Sequence, residues 1–149
     1  ELGVSRFVPC KTEYSNFEQL NYKNLELNAI EASQQCERLD VPKIEKIINF
    51  KSLLDGFPSD RALVFCDESD PSLPSIYEEV KSQVSNYSKW AVIIGPEGGF
   101  SEQEKNQLIN EENVLRVTLG KRILRSDTAA ISSLFCIQSL VDKRHPVLK

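Results

Sequence analysis

The stretch WAVIIGPEGGFSEQE, residues 90–104, decides the fold. Trp90-Ala91-Val92-Ile93-Ile94 is a short apolar run rich in β-branched residues that stops at Gly95-Pro96, the pattern of a buried strand ended by a turn. Ser101 stands three residues ahead of Glu104, the spacing of a capping box at a helix start. Gly95, Gly98 and Gly99 therefore fall between a strand end and a helix start. In open α/β sheets that junction binds ligands, because exposed N–H groups and the positive end of the helix dipole converge there. Adjacent glycines let the backbone approach a ligand with no Cβ in the way, and Pro96 stiffens the turn. The same five residues also fit a tight turn that needs glycine only for its dihedral angles.

A second glycine-marked loop follows. Val114-Leu115-Arg116-Val117-Thr118-Leu119 reads as another strand, and Gly120 closes it. Lys121-Arg122-Ile123-Leu124-Arg125 then leads to Ser126 as N-cap, with Asp127 in the first turn of a helix reaching about Val141. Upstream, Ala62-Leu63-Val64-Phe65-Cys66 is a continuous apolar run, the mark of a strand buried on both faces of a parallel sheet. Ile76, Val80 and Val84 share one face of the helix between it and Trp90.

Nearer the start, residues 24–39 carry Leu25, Ala29, Ala32, Cys36 and Leu39 at helical spacing. Gln34, Gln35 and Arg38 at its end either reach a substrate or form a solvated face. Residues 5–10 have strand propensity that Pro9 ends or confines to an edge, and 41–44 reads as extended. A short helix over 50–54 stops at Asp55-Gly56. The acidic run Asp67-Glu68-Ser69-Asp70-Pro71 has no partner at metal-ligand spacing and reads as a solvated loop. Strands and helices alternate throughout, which predicts an α/β fold with a mostly parallel sheet and helices on both faces.

Composition narrows the function classes. The 149 residues, 40% hydrophobic and 27% charged, are those of one ordinary globular domain. No apolar run approaches membrane-spanning length and no signal peptide is readable, so the expectation is a soluble, cytoplasmic protein without a membrane partner. Cys10, Cys36, Cys66 and Cys136 form no CxxC pair and the single histidine is His145, so no metal site is expected and the cysteines read as buried or half-buried free thiols. A net charge of −4 and a pI near 5.1 argue against gripping nucleic acid by bulk charge. The chain starts without methionine and contains none, so a piece of a longer protein is expected.

GPEGGFSEQE and LGKRILRSDTAA together resemble the C-terminal signature of the bacterial 16S ribosomal RNA uracil-N3 methyltransferases, a family of the SPOUT superfamily. ELGVS at residues 1–5 and EASQQCERLDVPKI at 31–44 agree in order and spacing, so the resemblance spans most of the chain. It implies a C-terminal trefoil knot, a homodimer, S-adenosylmethionine as cofactor and 16S ribosomal RNA or the small ribosomal subunit as partner. It also implies that residues 1–149 form the methyltransferase domain without its first strand and helix, and without the family's N-terminal RNA-binding β-barrel.

By the same resemblance the cofactor lies between Gly95, Pro96, Glu97, Gly98 and Gly99 on one side and Leu119, Gly120, Ile123 and Leu124 on the other. Glu97 fixes its loop or accepts a hydrogen bond from the cofactor. A cation near uracil would lower the pKa of N3 and stabilise charge on the ring oxygens. Arg125 is the first candidate, then Arg122, then Arg38; each has an alternative role in holding phosphate or an acidic partner. No general base stands out. Asp127 replaces the family's usual glutamate, which matters only if that carboxylate must reach substrate or Arg125. Two other readings stay open, a cofactor-binding but catalytically silent RNA-associated module and a nucleotide- or phosphate-binding α/β domain.

Overall fold

The structure, a computed structural model, describes residues 1–16 and 19–141. The elements in chain order are β1 (Arg6–Phe7), β2 (Cys10–Lys11), α1 (Tyr22–Gln35), β3 (Lys43–Ile44), β4 (Ile48–Asn49), α2 (Phe50–Asp55), β5 (Arg61–Cys66), α3 (Ile76–Gln83), β6 (Lys89–Ile93), α4 (Glu102–Ile109), β7 (Val114–Val117) and α5 (Ser126–Val141). All strand pairs are parallel. β5 lies between β6 and β7, while β1 pairs with β3 and β2 with β4 in two short ladders.

Both faces of the three-stranded sheet are covered, because alternate side chains of a strand point to opposite faces. On one face Leu63 and Phe65 pack with Ile93, Phe100 and Leu108 and with Phe50 and Leu54 of α2. On the other, Val64 packs with Val117, with Ile76 and Val80 of α3, and with Ile137 of α5. Burying a side chain such as Leu63 or Phe65 contributes about 1.5–3 kcal/mol. The continuous apolar run of β5 is thus the centre of the molecule.

Several local expectations shift. The helix expected over 24–39 runs from Tyr22 to Gln35, with Asn21 Oδ1 accepting from Asn24 N at 3.1 Å. It stops because Glu37 turns left-handed (φ 57°) and Arg38 N donates to Ser33 O at 2.9 Å while Glu37 N donates to Gln34 O, the paired bonds of a Schellman end. Ser126 is the first residue of α5 rather than its cap; Arg125 supplies the carbonyl, accepting from Ala129 N at 2.8 Å. Two two-residue strands, Arg6–Phe7 and Cys10–Lys11, replace the one expected over 5–10, and Cys36 is exposed rather than buried or half-buried.

Other expectations hold closely. The short helix after Asn49 ends at Gly56, and the strand led by Trp90 is β6, one residue earlier at each end than read from sequence. No helix among the described residues is long and apolar enough to cross a membrane. His145 lies outside the described residues.

Candidate ligand site at the carboxyl edge of the sheet

Because β5, β6 and β7 run parallel, the loops that follow them leave from one edge of the sheet. These are 67–75 after β5, 94–101 after β6 and 118–125 after β7. The turn after β6 is fixed from several directions. Gly99 N donates to Pro96 O at 2.8 Å, and Gly99 takes φ 70°, a conformation that favours glycine. Gly95 lies so close to the Phe100 ring that a Cβ there would come within 3.0 Å of it. Phe100 is itself buried, edge-on to Phe65 at 5.5 Å between ring centroids, so the turn is anchored directly in the core.

The capping box forms as read. Ser101 N donates to Glu104 Oε2 at 3.0 Å and Glu104 N to Ser101 Oγ at 3.3 Å. The second carboxylate oxygen, Oε1, accepts from Glu13 N at 2.9 Å. One buried carboxylate therefore ties the start of α4 to the segment that follows β2. That long-range bond has no signature in sequence spacing.

After β7 the chain is held differently. Thr118 continues the ladder, with Ile76 N donating to Thr118 O at 3.1 Å and Thr118 N to Pro74 O at 3.0 Å. Gly120 N donates to Thr118 Oγ1 at 3.2 Å, and Gly120 takes φ 112° with open space where a Cβ would stand. Among the described residues, the N–H groups of segment 121–124 make no hydrogen bond. A small cavity of about 50 Å³ lies here, lined by Thr118, Leu119, Gly120, Arg122 and Leu124 after β7, by Cys66 and Glu68 where β5 ends, and by Ala129 of α5.

The residues singled out from sequence thus fall into separate groups. Leu119, Gly120, Leu124 and Arg122 share the cavity, and Ile123 points outward, 78% exposed. Gly95, Pro96, Glu97, Gly98 and Gly99 stand at the same sheet edge but line a different surface, with Glu97 exposed. Arg122 and Arg125 are exposed and form no ion pair among the described residues. Arg38 is taken up by structural partners: it grips Asp40 through Nε at 3.2 Å and Nη2 at 2.7 Å, and Nη1 donates to Val4 O at 2.9 Å. Hydrogen bonding to Asp40 raises the Arg38 pKa and lowers that of Asp40.

The acidic loop after β5 is not wholly solvated, contrary to its reading as a solvated loop. Asp67 is 3% exposed, with Arg116 Nη2 donating to Oδ2 at 2.8 Å and Ser69 N and Oγ donating to Oδ1 at 3.0 and 2.5 Å. Burial alone would raise its pKa, but the hydrogen bonds from Ser69 and Arg116 outweigh it and hold the carboxyl below its ordinary value. The pair clasps the ends of β5 and β7 and fixes the backbone that carries Glu68 to the cavity. Its one sequence signal was Arg116 itself, a charge inside an apolar strand that needs a partner.

Cys10, Cys66 and Cys136 are half-buried, whereas Cys36 is exposed. Cys66 Sγ lies 3.2 Å from Ser133 Oγ, and burial raises its pKa. Burial, with help from Glu104, pushes the Cys10 thiol up to about 11. Neither is poised as a thiolate nucleophile. Among the described residues no group of three or more histidine, cysteine, aspartate or glutamate side chains could hold a metal ion.

Fold and site together define an α/β domain whose parallel strands present two glycine turns and two unpaired arginines at one edge. The chain belongs to the RNA methyltransferase domain family, whose model matches residues 1–138. It is 34% identical over 140 residues to Ribosomal RNA small subunit methyltransferase E of Rickettsia conorii, covering 94% of this chain and 56% of that protein. To the protein of the same name from Bacillus subtilis it is 30% identical over 145 residues, covering 92% and 56%. The crystal structure of a Ribosomal RNA small subunit methyltransferase E from Neisseria gonorrhoeae bound to S-adenosyl methionine superposes with a TM-score of 0.68 at 30% identity, covering 93% of this chain and 56% of that one. The chain spans about half the length of the curated relatives it matches.

Proposed function

We propose that this chain is the catalytic part of an S-adenosylmethionine-dependent methyltransferase that acts on uracil N3 of 16S ribosomal RNA. The observation that carries the proposal is the placing of two glycine turns at one sheet edge in a chain of this family. A relative solved with the cofactor bound supports the choice of ligand. The residues present suit a neutral adenine and ribose. Segment 121–124 offers N–H groups that are unbonded among the described residues, Leu119 and Leu124 offer apolar walls, and Gly120 leaves room for close approach. At about 50 Å³ the cavity takes only part of a nucleoside, against the roughly 300 Å³ or more of a typical ligand site, so most of the cofactor lies beyond it.

The bound cofactor supplies an activated methyl group. The chain's own task is to orient the uracil, exclude water and manage the N3 proton. Arg125, exposed and unpaired at the mouth of α5, lowers the pKa of N3 and stabilises charge on the ring oxygens. Arg122, on the cavity wall, holds a phosphate of the RNA. Arg38, already bonded to Asp40 and Val4, stiffens the end of α1 and takes no part in the chemistry. Asp127 Oδ1 accepts from Thr128 N at 2.7 Å, a local role that fits its replacing a longer glutamate.

The same reading includes a trefoil knot through residues 119–125 and α5, a homodimer and a cytoplasmic place of action. Ile131 and Phe135, one turn apart and exposed on α5, support the homodimer as an apolar face for a second copy. The test is transfer of labelled methyl from S-adenosylmethionine to small-subunit ribosomal RNA, with the product nucleoside identified by mass. N3-methyluridine is the expected product. Arg125→Ala should leave cofactor affinity unchanged and cut transfer at least 100-fold, the scale of removing one charge-stabilising group; cofactor binding without transfer by the unaltered protein would identify a silent module instead.

A further inference from the structure

We propose that Tyr14 is a stacking platform for an unpaired base of the RNA substrate. This rests on the reading of the chain as an RNA uracil-N3 methyltransferase. Tyr14 belongs to the short strap that follows β2, and the strap is held on both sides of it. Thr12 N donates to Ser15 Oγ at 3.0 Å, Ser15 N donates to Thr12 O at 3.2 Å, and Glu13 N donates to the buried Glu104 carboxylate at 2.9 Å. The strap therefore delivers the Tyr14 ring to a fixed place beside the glycine turn.

One side of Tyr14 rests on Gly98. A Cβ on Gly98 would come within 3.0 Å of Tyr14 Cβ, 3.5 Å of Cγ and 3.7 Å of Cδ2, so any larger residue there would press the aromatic side chain outward. Even so, Tyr14 is 46% exposed, and its hydroxyl makes no hydrogen bond among the described residues. A tyrosine kept for packing buries its ring and gives the hydroxyl a partner; this one leaves nearly half its surface in solvent and its hydroxyl without a partner among the described residues. What the strap holds in place is an aromatic surface open to solvent at the ligand edge.

The chemistry of the reaction says what such a surface meets. N3 lies on the Watson–Crick edge of uracil, so a base methylated there must be unpaired, which leaves its flat faces in need of a stacking partner. An exposed aromatic ring supplies one without reading sequence, and the acidic chain has little bulk charge to offer in its place.

The test measures binding of a fluorescein-labelled single-stranded oligouridine to the whole chain by anisotropy, beside calorimetric binding of S-adenosylmethionine. Tyr14→Ala should weaken RNA binding roughly 10- to 100-fold with cofactor affinity and thermal unfolding unchanged. Tyr14→Phe should bind as the unaltered chain does, and Tyr14→Leu, apolar but without a π face, should behave as the alanine variant. RNA binding that survives Tyr14→Ala, or a loss matched by lost cofactor binding, overturns the stacking role alone. Absence of RNA binding by the unaltered chain overturns the functional reading, and the stacking role with it.

Discussion

The two glycine turns at the sheet edge are built in opposite ways. The turn at 95–99 is anchored by Phe100 in the core and by the Ser101–Glu104 capping box. The loop at 119–125 hangs between Thr118 and the start of α5, with Gly120 in open space and Ile123 exposed. Side chains at the first turn belong to the same interactions that hold the sheet together. At the second, Leu119 still packs against the core, while Arg122, Ile123 and Arg125 are exposed. The residues of the two turns therefore answer to different measurements.

Substitutions should separate the two. Phe100→Ala removes the anchor of the first turn and leaves a cavity among Phe50, Phe65 and Leu108; a loss of about 4 kcal/mol in urea unfolding is expected. Glu104→Ala strands the N–H groups of Ser101 and Glu13 and should cost about 2–3 kcal/mol by the same measurement. Glu104→Gln, which keeps one accepting oxygen, should cost less.

Asp67→Asn tests the clasp between β5 and β7 and should cost about 2 kcal/mol at neutral pH, less than a fully buried pair because Arg116 reaches solvent. It also carries a pH signature. The Asp67 carboxyl is held below its ordinary value of 3.8, so its contribution is full above about pH 4 and is lost as pH falls further. Unfolding measured from pH 6 down to pH 2 should therefore fall more steeply for the unaltered chain than for the asparagine variant. Equal slopes would mean that the pair does not persist in solution.

At the second turn stability should change little while binding changes much. Gly120→Val forces a branched side chain to φ 112° and should cost about 1–2 kcal/mol, yet S-adenosylmethionine binding should disappear. Ile123→Ser, at a position that supports no packing, should stay within about 0.5 kcal/mol. A large destabilisation from Ile123→Ser would erase the contrast between the turns.

Legibility from sequence follows the same division between local and distant. The runs that became β5 and β6, the capping box at Ser101 and the helix stop at Gly56 are set by neighbours within a few residues, and each was readable. Arg116 and Asp67 are 49 residues apart, and Glu13 and Glu104 are 91 apart. Neither pairing has a period or a spacing, so Asp67 read as a solvated acid and Glu104 as no more than half of a cap. The end of α1 was misplaced for another reason: Leu39 kept the helical period, but Glu37 adopts a left-handed turn that its residue type does not announce. Of the candidate arginines, the sequence could rank Arg38 only by position; the bonds to Asp40 and Val4 that occupy it come from folding.

The proposal that both turns bind one cofactor is tested most directly by calorimetric titration of the purified chain with S-adenosylmethionine, for the unaltered protein beside Gly98→Val and Gly120→Val. One saturable site per chain, lost in both variants while each remains folded, is the predicted result. A folded chain that takes up no S-adenosylmethionine, or two glycine variants that bind it as tightly as the original, would contradict the account.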